Sequence, residues 1–280
     1  MRRHDLICGG AAGDHTVRVF DWGDAENPEV LICVHGLTRN ARDFDVIAEA
    51  LSRDFRVMCP DIAGRGESEW LAEAQFYNYE TYIGDMSFLL THFGLKQVDW
   101  LGTSMGGMIG MMLAASPESP IRRLILNDIG PWIPKAALQR IAGYLLTPKK
   151  FTSRDDIEAH FREVHAPFGP LSDEQWAHLA HYGAHQMPDG SWRLKYDPTI
   201  ADPFRKAVDE DVDIWEIWEA VRCPVLALRG RESDVLVDDT ARQMQERGPK
   251  AQVIDFDGIG HAPALMEPNQ IETVVDWLAG

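Results

Sequence analysis

Short apolar runs rich in β-branched residues alternate along this chain with longer segments whose apolar positions recur at helical spacing. The runs Val17–Asp21, Val30–His35, Arg56–Pro60, Val98–Gly102, Arg123–Asp128, Pro224–Gly230 and Gln252–Phe256 are mostly too short for helices. They are closed by Gly, Pro or Asp and read as strands. Ala41–Ser52, Tyr77–Phe93, Met105–Ala115, Asp238–Arg247 and Pro268–Leu278 read as amphipathic or buried helices. This alternation predicts an α/β fold with a mostly parallel central sheet flanked by helices.

The rhythm breaks between Pro131 and about Arg222, where helical stretches carry Trp132, Trp176, Trp192, Trp215 and Trp218 and a turn signal in MPDGSWRLKYDP. An interruption of that length is too long for a simple loop. It predicts an inserted helical cap over residues 131–222, with a core built from 1–130 and 223–280. No internal repeat or low-complexity tract is visible.

At 280 residues the chain can bury a sizeable core, and 45% hydrophobic with 25% charged residues is ordinary globular composition. The formal charge of −17 argues against nucleic acid or an anionic membrane as partner. No apolar stretch reaches the roughly 18 residues of a membrane span. The first residues, MRRHDLICGG, lack an apolar core of secretory length, so a cytoplasmic location is expected. Cys8, Cys33, Cys59 and Cys223 form no CxxC pair and are expected to be buried, reduced thiols.

Candidate chemistry centres on Gly102-Thr103-Ser104-Met105-Gly106, a G-x-S-x-G pattern with a strand before it and a helix after it. A serine on such a strained turn needs neighbours without Cβ atoms. A glycine-rich helix start that only packs closely would share the pattern, so the base matters. His261, in DFDGIGHAPALMEP, follows the last strand in a glycine-rich loop and is the candidate. Two acids compete to orient it. Asp234 lies in LALRGRESDVLV and Asp128 in LILNDIG. The order Ser104–Asp234–His261 favours Asp234, with Asp128 as runner-up. An oxyanion would rest on the Met105 N–H and, from the loop after VLICVHG, on the Leu37 N–H.

With these residues assembled, the chain resembles the α/β-hydrolase family along essentially its whole length. The resemblance is carried by GTSMGG, HGLTRN (His35–Asn40), PDIAGRGESEW (Pro60–Trp70), RGRESDVL and GIGHAP, all in the family's order. It implies Ser104, Asp234 and His261 as a catalytic triad, Leu37 and Met105 as oxyanion donors, and the insert as a cap. A serine in the nucleophile position departs from the haloalkane dehalogenases and epoxide hydrolases of this fold. Leu37 departs from the HGG(G) lipase branch and from the aromatic usual in cofactor-free haloperoxidases. The glycine-serine loop of carbon–carbon bond hydrolases is missing. The implied activity is a carboxylesterase acting on a small-molecule ester, without cofactor or metal. A lactonase resembling 3-oxoadipate enol-lactonase, a carbon–carbon bond hydrolase, and a ligand sensor on the same fold are the alternatives. A homodimer is left open.

Candidate substrate contacts are His35, Arg39 and Trp132. His35 can instead pin its loop by hydrogen bonding, and Arg39 can be tied to Asp43 or Asp61 rather than to a substrate carboxylate. One or two cap tryptophans are expected to line an apolar acyl pocket. Arg65 is expected to belong to loop architecture. His178, His181 and His185 share helical spacing but lack a completing ligand, so a polar cap face is expected rather than a metal site.

Overall fold

A computed structural model describes residues 1–147, 149–205 and 209–280. The first part of the chain forms β1 (Arg2–Cys8), β2 (His15–Trp22), β3 (Val30–Val34), α1 (Asp45–Leu51), β4 (Arg56–Pro60), α2 (Tyr79–His92), β5 (Val98–Thr103), α3 (Met105–Ala114) and β6 (Ile121–Asn127). Next come β7 (Trp132–Ile133), α4 (Lys135–Leu145), α5 (Arg154–Val164), α6 (Asp173–Gly183), β8 (Ala184–Gln186), β9 (Trp192–Leu194), β10 (Val212–Asp213) and α7 (Trp215–Ala220). The chain closes with β11 (Val225–Gly230), α8 (Asp238–Glu246), β12 (Gln252–Phe256) and α9 (Pro268–Ala279).

The main sheet has eight strands in the order β1-β2-β4-β3-β5-β6-β11-β12. From β4 to β12 all pairings are parallel, while β2 is antiparallel to both β1 and β4. Side chains alternate between two buried faces, as the period of a strand requires. Ile32, Val34, Trp100, Leu124 and Leu126 pack against α2 and α3 through Tyr82, Met86, Met108 and Ile109. Leu31, Cys33, Leu101, Ile125 and Leu226 point the other way, toward Ile47 and Leu51 of α1 and Val274 and Leu278 of α9. This is why the central strands read as unbroken apolar runs. The edge strand β1 does not: its pattern alternates, Ile7 is largely exposed, and its arginines and histidine hide it from an apolar-run reading.

Between β6 and β11 the chain forms a segment with its own apolar cluster of Phe151, Ile157, Phe161, Trp176 and Leu179, closed by Met266 from outside it. The helices α5 and α6 each start on a reciprocal cap, Ser153 with Asp156 and Ser172 with Gln175. The turn expected in MPDG is present, with Gly190 N–H donating to Met187 O at 2.9 Å ahead of β9. The two ends of the segment meet where β7 pairs antiparallel with β10. Asn40 Nδ2 donates to Tyr182 O at 3.1 Å, Gly66 N–H to Lys195 O at 2.8 Å and Gly260 N–H to Pro167 O at 2.7 Å, seating the segment over the loops at the C-terminal ends of the strands.

Candidate active site

Ser104 stands alone between β5 and α3 with φ 52° and ψ −114°, a left-handed conformation that costs a serine on the order of 1–3 kcal/mol. The surrounding chain enforces it. A Cβ on Gly102 would lie 2.3 Å from the Gly106 carbonyl, and one on Gly106 would lie 2.0 Å from Val34 O. Only glycine lets β5, α3 and β3 approach this closely. Ser104 N–H donates to Asn127 O at 3.1 Å, and Ser104 O takes the N–H groups of Gly107 and Met108 at 2.9 and 3.0 Å.

The hydroxyl so presented meets His261, whose Nε2 lies 2.9 Å from Ser104 Oγ. The histidine arrives on a loop that crosses close over the end of β11. A Cβ on Gly230 would fall 2.2 Å from Gly260 O. Asn127, which the sequence reading did not single out, spans the two parts: its Nδ2 donates to Thr103 Oγ1 at 3.0 Å and to Pro263 O at 2.9 Å. Its only sequence signal was a polar residue ending an apolar strand.

The acid beside the imidazole is Asp128, not Asp234. Asp128 Oδ2 lies 2.8 Å from His261 Nδ1, and the carboxylate is wholly buried. Its Oδ1 takes the Gly230 N–H at 2.8 Å, and its Oδ2 also takes the Ser233 hydroxyl at 2.5 Å. Asp128 has φ 56°, a second left-handed residue, placed directly after β6. Asp234, the acid expected from the sequence, is instead bound by Arg140 of α4, whose Nε and Nη2 donate to its two oxygens at 2.5 and 2.8 Å. Burial opposes the charge of Asp234, but the hydrogen bonds and charge of Arg140 outweigh it and hold the carboxyl below its usual range. A guanidinium from a distant helix therefore claims Asp234, while Asp128 is turned inward by its own backbone.

The loop after β3 comes within van der Waals reach of the serine, since a Cβ on Gly36 would sit 3.7 Å from Ser104 Cβ. His35 is corrected as a substrate contact: it is fully buried and does not line the cavity. Its Nε2 accepts the Ile62 N–H at 2.9 Å, so the proton sits on Nδ1, which donates to Gly36 O at 2.7 Å. Burial depresses its pKa to about 3, and the charges of Arg65 and Arg39 add to the effect. A neutral imidazole thus fixes the carbonyl end of the peptide whose other end is the Leu37 N–H. The next carbonyl, Leu37 O, takes Arg65 Nε–H at 2.9 Å.

Ser104, His261, Leu37 and Met105 all line one cavity of about 370 Å³, within the range of small-molecule sites. Its walls are mostly apolar, from Met108, Ile129, Ile133, Leu138 and Ile141, with tyrosines 77, 79, 82 and 144. Trp132 is corrected too: it pairs with Asp213 across the β7–β10 ribbon and is not part of the wall. The other insert tryptophans are likewise absent from the wall. Trp218 is fully buried, its Nε1 donating to Arg247 O at 3.0 Å, and Trp176 belongs to the apolar cluster of the insert. Arg39 does reach the wall, but its Nε and Nη2 donate to Asp43 at 2.7 and 2.6 Å and its face lies over Phe161. His165 is buried in the same wall, and burial holds its pKa well below the ordinary value, aided by Arg39, His160, His261 and Arg140. His178 of α6 donates to Arg42 O at 2.9 Å. Cys8, Cys33 and Cys59 are buried and free, whereas Cys223 is only partly buried.

A hydroxyl hydrogen-bonded to an imidazole, itself hydrogen-bonded to a buried carboxylate, is an arrangement able to generate an attacking alkoxide. Comparison with known proteins points the same way. A family profile described as alpha/beta hydrolase fold matches residues 29–268. The 3-hydroxybutyrate-oligomer hydrolase of Cupriavidus necator is 43% identical, covering 98% of this chain and 96% of that protein. A solved structure of a Rickettsia typhi protein superposes with a TM-score of 0.95 at 32% identity, covering 100% of this chain and 99% of the other. That of an alpha/beta hydrolase from Novosphingobium aromaticivorans gives 0.87 at 34% identity, covering 99% and 98%. The chain belongs to the alpha/beta hydrolase fold family and is a hydrolase.

Proposed function

We propose that this protein is a serine esterase that cleaves small carboxylic esters, in particular short oligoesters of hydroxy acids, through an acyl-enzyme. The observation that carries the reading is the 2.9 Å approach of His261 Nε2 to Ser104 Oγ inside an apolar cavity. His261 Nε2 takes the hydroxyl proton as Ser104 Oγ attacks the ester carbonyl. Asp128 holds the ring with its other proton on Nδ1 and stabilises the imidazolium that forms. The tetrahedral oxyanion rests on the Leu37 and Met105 N–H groups, each such donor contributing about 3–4 kcal/mol. The imidazolium then protonates the departing alkoxide. A water molecule, deprotonated by the same nitrogen, attacks the acyl carbonyl, and Ser104 recovers its proton as the acid leaves.

The hydroxy-acid preference is supported by the Cupriavidus necator relative, whose name states that it hydrolyses 3-hydroxybutyrate oligomers. The segment 131–222 serves as a cap over the site, since Leu138, Arg140, Ile141, Tyr144 and His165 all reach the cavity from it. The test is incubation with the linear dimer and trimer of 3-hydroxybutyrate, beside p-nitrophenyl butyrate and an enol-lactone, using wild type and Ser104→Ala. Wild type should release monomer and label with a fluorophosphonate, and the variant should do neither. Equal labelling of both proteins would overturn the mechanism, and faster turnover of the lactone would overturn the substrate assignment.

A further inference from the structure

Among the described residues, no carboxylate pairs with the charge of Arg65. The residue is 0% exposed, in a molecule whose other buried arginines are paired: Arg39 with Asp43, Arg42 with Asp45, Arg56 with Asp21 and Arg229 with Asp238 and Asp255. Among the described residues Arg65 makes no ion pair. Its donors go to neutral oxygens. Nε meets Leu37 O at 2.9 Å, and Nη1 meets Ala63 O at 2.8 Å and Tyr82 Oη at 2.9 Å. The remaining nitrogen, Nη2, faces Met105 Sδ at 3.8 Å. The rings of Tyr77 and Tyr82 lie 5.5 and 5.1 Å from the guanidinium carbon and soften its burial.

Buried charges ordinarily find a counter-charge, because desolvation is costly. Among the cavity residues that Arg65 touches, beside Tyr77 and Tyr82, are Leu37 and Met105, whose N–H groups the proposed mechanism assigns to the oxyanion. We infer that Arg65 is the positioning residue of the oxyanion site and that its missing counter-charge is the oxyanion itself, present only while the tetrahedral intermediate exists. The inference rests on the proposed serine mechanism. Arg65 fixes the peptide after the Leu37 N–H, as His35 fixes the one containing it, and its field acts across a medium with little water to screen it. A charge that meets its partner only in the transition state raises kcat and leaves ground-state binding alone.

The test replaces Arg65 by Met, which keeps length and removes charge, and by Lys, which keeps charge. With an ester substrate Arg65→Met should lose about a hundredfold in kcat, the scale of one oxyanion donor, with KM nearly unchanged. Arg65→Lys should recover part of that loss. A thionoester, whose sulfur is a poor acceptor, should be affected far less, so the ester-to-thionoester rate ratio should fall in Arg65→Met. A purely structural role would lower both rates together and leave the ratio intact, and that result would overturn the inference. A second measurement needs no variant. The Ser104 adduct of a carbonyl-labelled trifluoromethyl ketone, followed by carbon NMR, should stay ionised in wild type well below the pH at which the hydrated ketone ionises in water. Ionisation at the aqueous pH would equally overturn it. Failure of wild type to form the adduct or turn over any ester would instead overturn the serine mechanism.

Discussion

Asp128 and His261 are joined by a 2.8 Å hydrogen bond between Oδ2 and Nδ1, and the same carboxylate is held by Gly230 N–H and the Ser233 hydroxyl. Three donors thus converge on one wholly buried acid. Its orientation is overdetermined, and the imidazole inherits that rigidity. Under the proposed mechanism, Asp128→Asn should lower kcat by about ten-thousand-fold, because the amide favours the wrong imidazole tautomer. Asp234→Asn breaks a half-exposed ion pair with Arg140 and should cost about tenfold or less. Steady-state kinetics of the two purified variants decides between them, and a larger loss for Asp234→Asn would return the role to that residue.

Gly106→Ala should prevent the serine turn from forming. The added methyl would sit 2.0 Å from Val34 O, a backbone atom that cannot swing aside. The expected loss is about 3 kcal/mol or more of stability, at the upper end of overpacking costs. Urea denaturation measures it. Gly84→Ala, where a Cβ meets nothing within 4 Å, serves as the control and should be neutral or slightly stabilising.

His35 makes stability depend on acid. In the folded protein it stays neutral down to about pH 3, whereas the unfolded chain takes up a proton near 6.5. Between those values the unfolded state binds more protons, so stability rises with pH and is lost on acidification. One such group contributes a slope of up to about 1.4 kcal/mol per pH unit. His35→Gln should flatten the stability profile between pH 4 and 6.5, and unfolding curves at several pH values would reveal it. Identical slopes in variant and wild type would contradict this account.

Acyl preference should answer to the cavity wall and not to the insert tryptophans. Leu138→Trp fills part of a 370 Å³ space and should shift turnover toward acetyl esters at the expense of butyryl and longer esters. Trp132→Phe, which changes a residue outside that wall, should leave the ratio of acetyl to butyryl turnover as in wild type. The ratio kcat/KM for a series of p-nitrophenyl esters is the measurement.

Much of this protein can be read along the chain. The apolar runs of β3 and β11 are continuous because both faces of the central parallel strands are covered, and Gly102 and Gly106 announce the turn because a Cβ at either would collide with backbone. The loop histidine 261 was legible for the same local reason: small residues flank it where a strand ends. For Arg39 the sequence left a substrate contact and a tie to Asp43 or Asp61 as alternatives, and the fold pairs it with Asp43, four residues on.

What only the tertiary structure decided concerns partners far apart in sequence. Asp128 and Asp234 follow the neighbouring strands β6 and β11, so both acids arrive at the same rim of the sheet. Their difference lies in a left-handed φ at one and in an arginine 94 residues upstream of the other. Neither is a property of the local pattern. Likewise the place of Arg65, between Leu37 and Met105, exists only once two separate loops and the start of α3 have closed on one another. Local sequence sets the glycine-flanked turn and the apolar faces, whereas the orientation of an acid and the pairing of charges depend on which groups the finished fold brings within hydrogen-bonding distance.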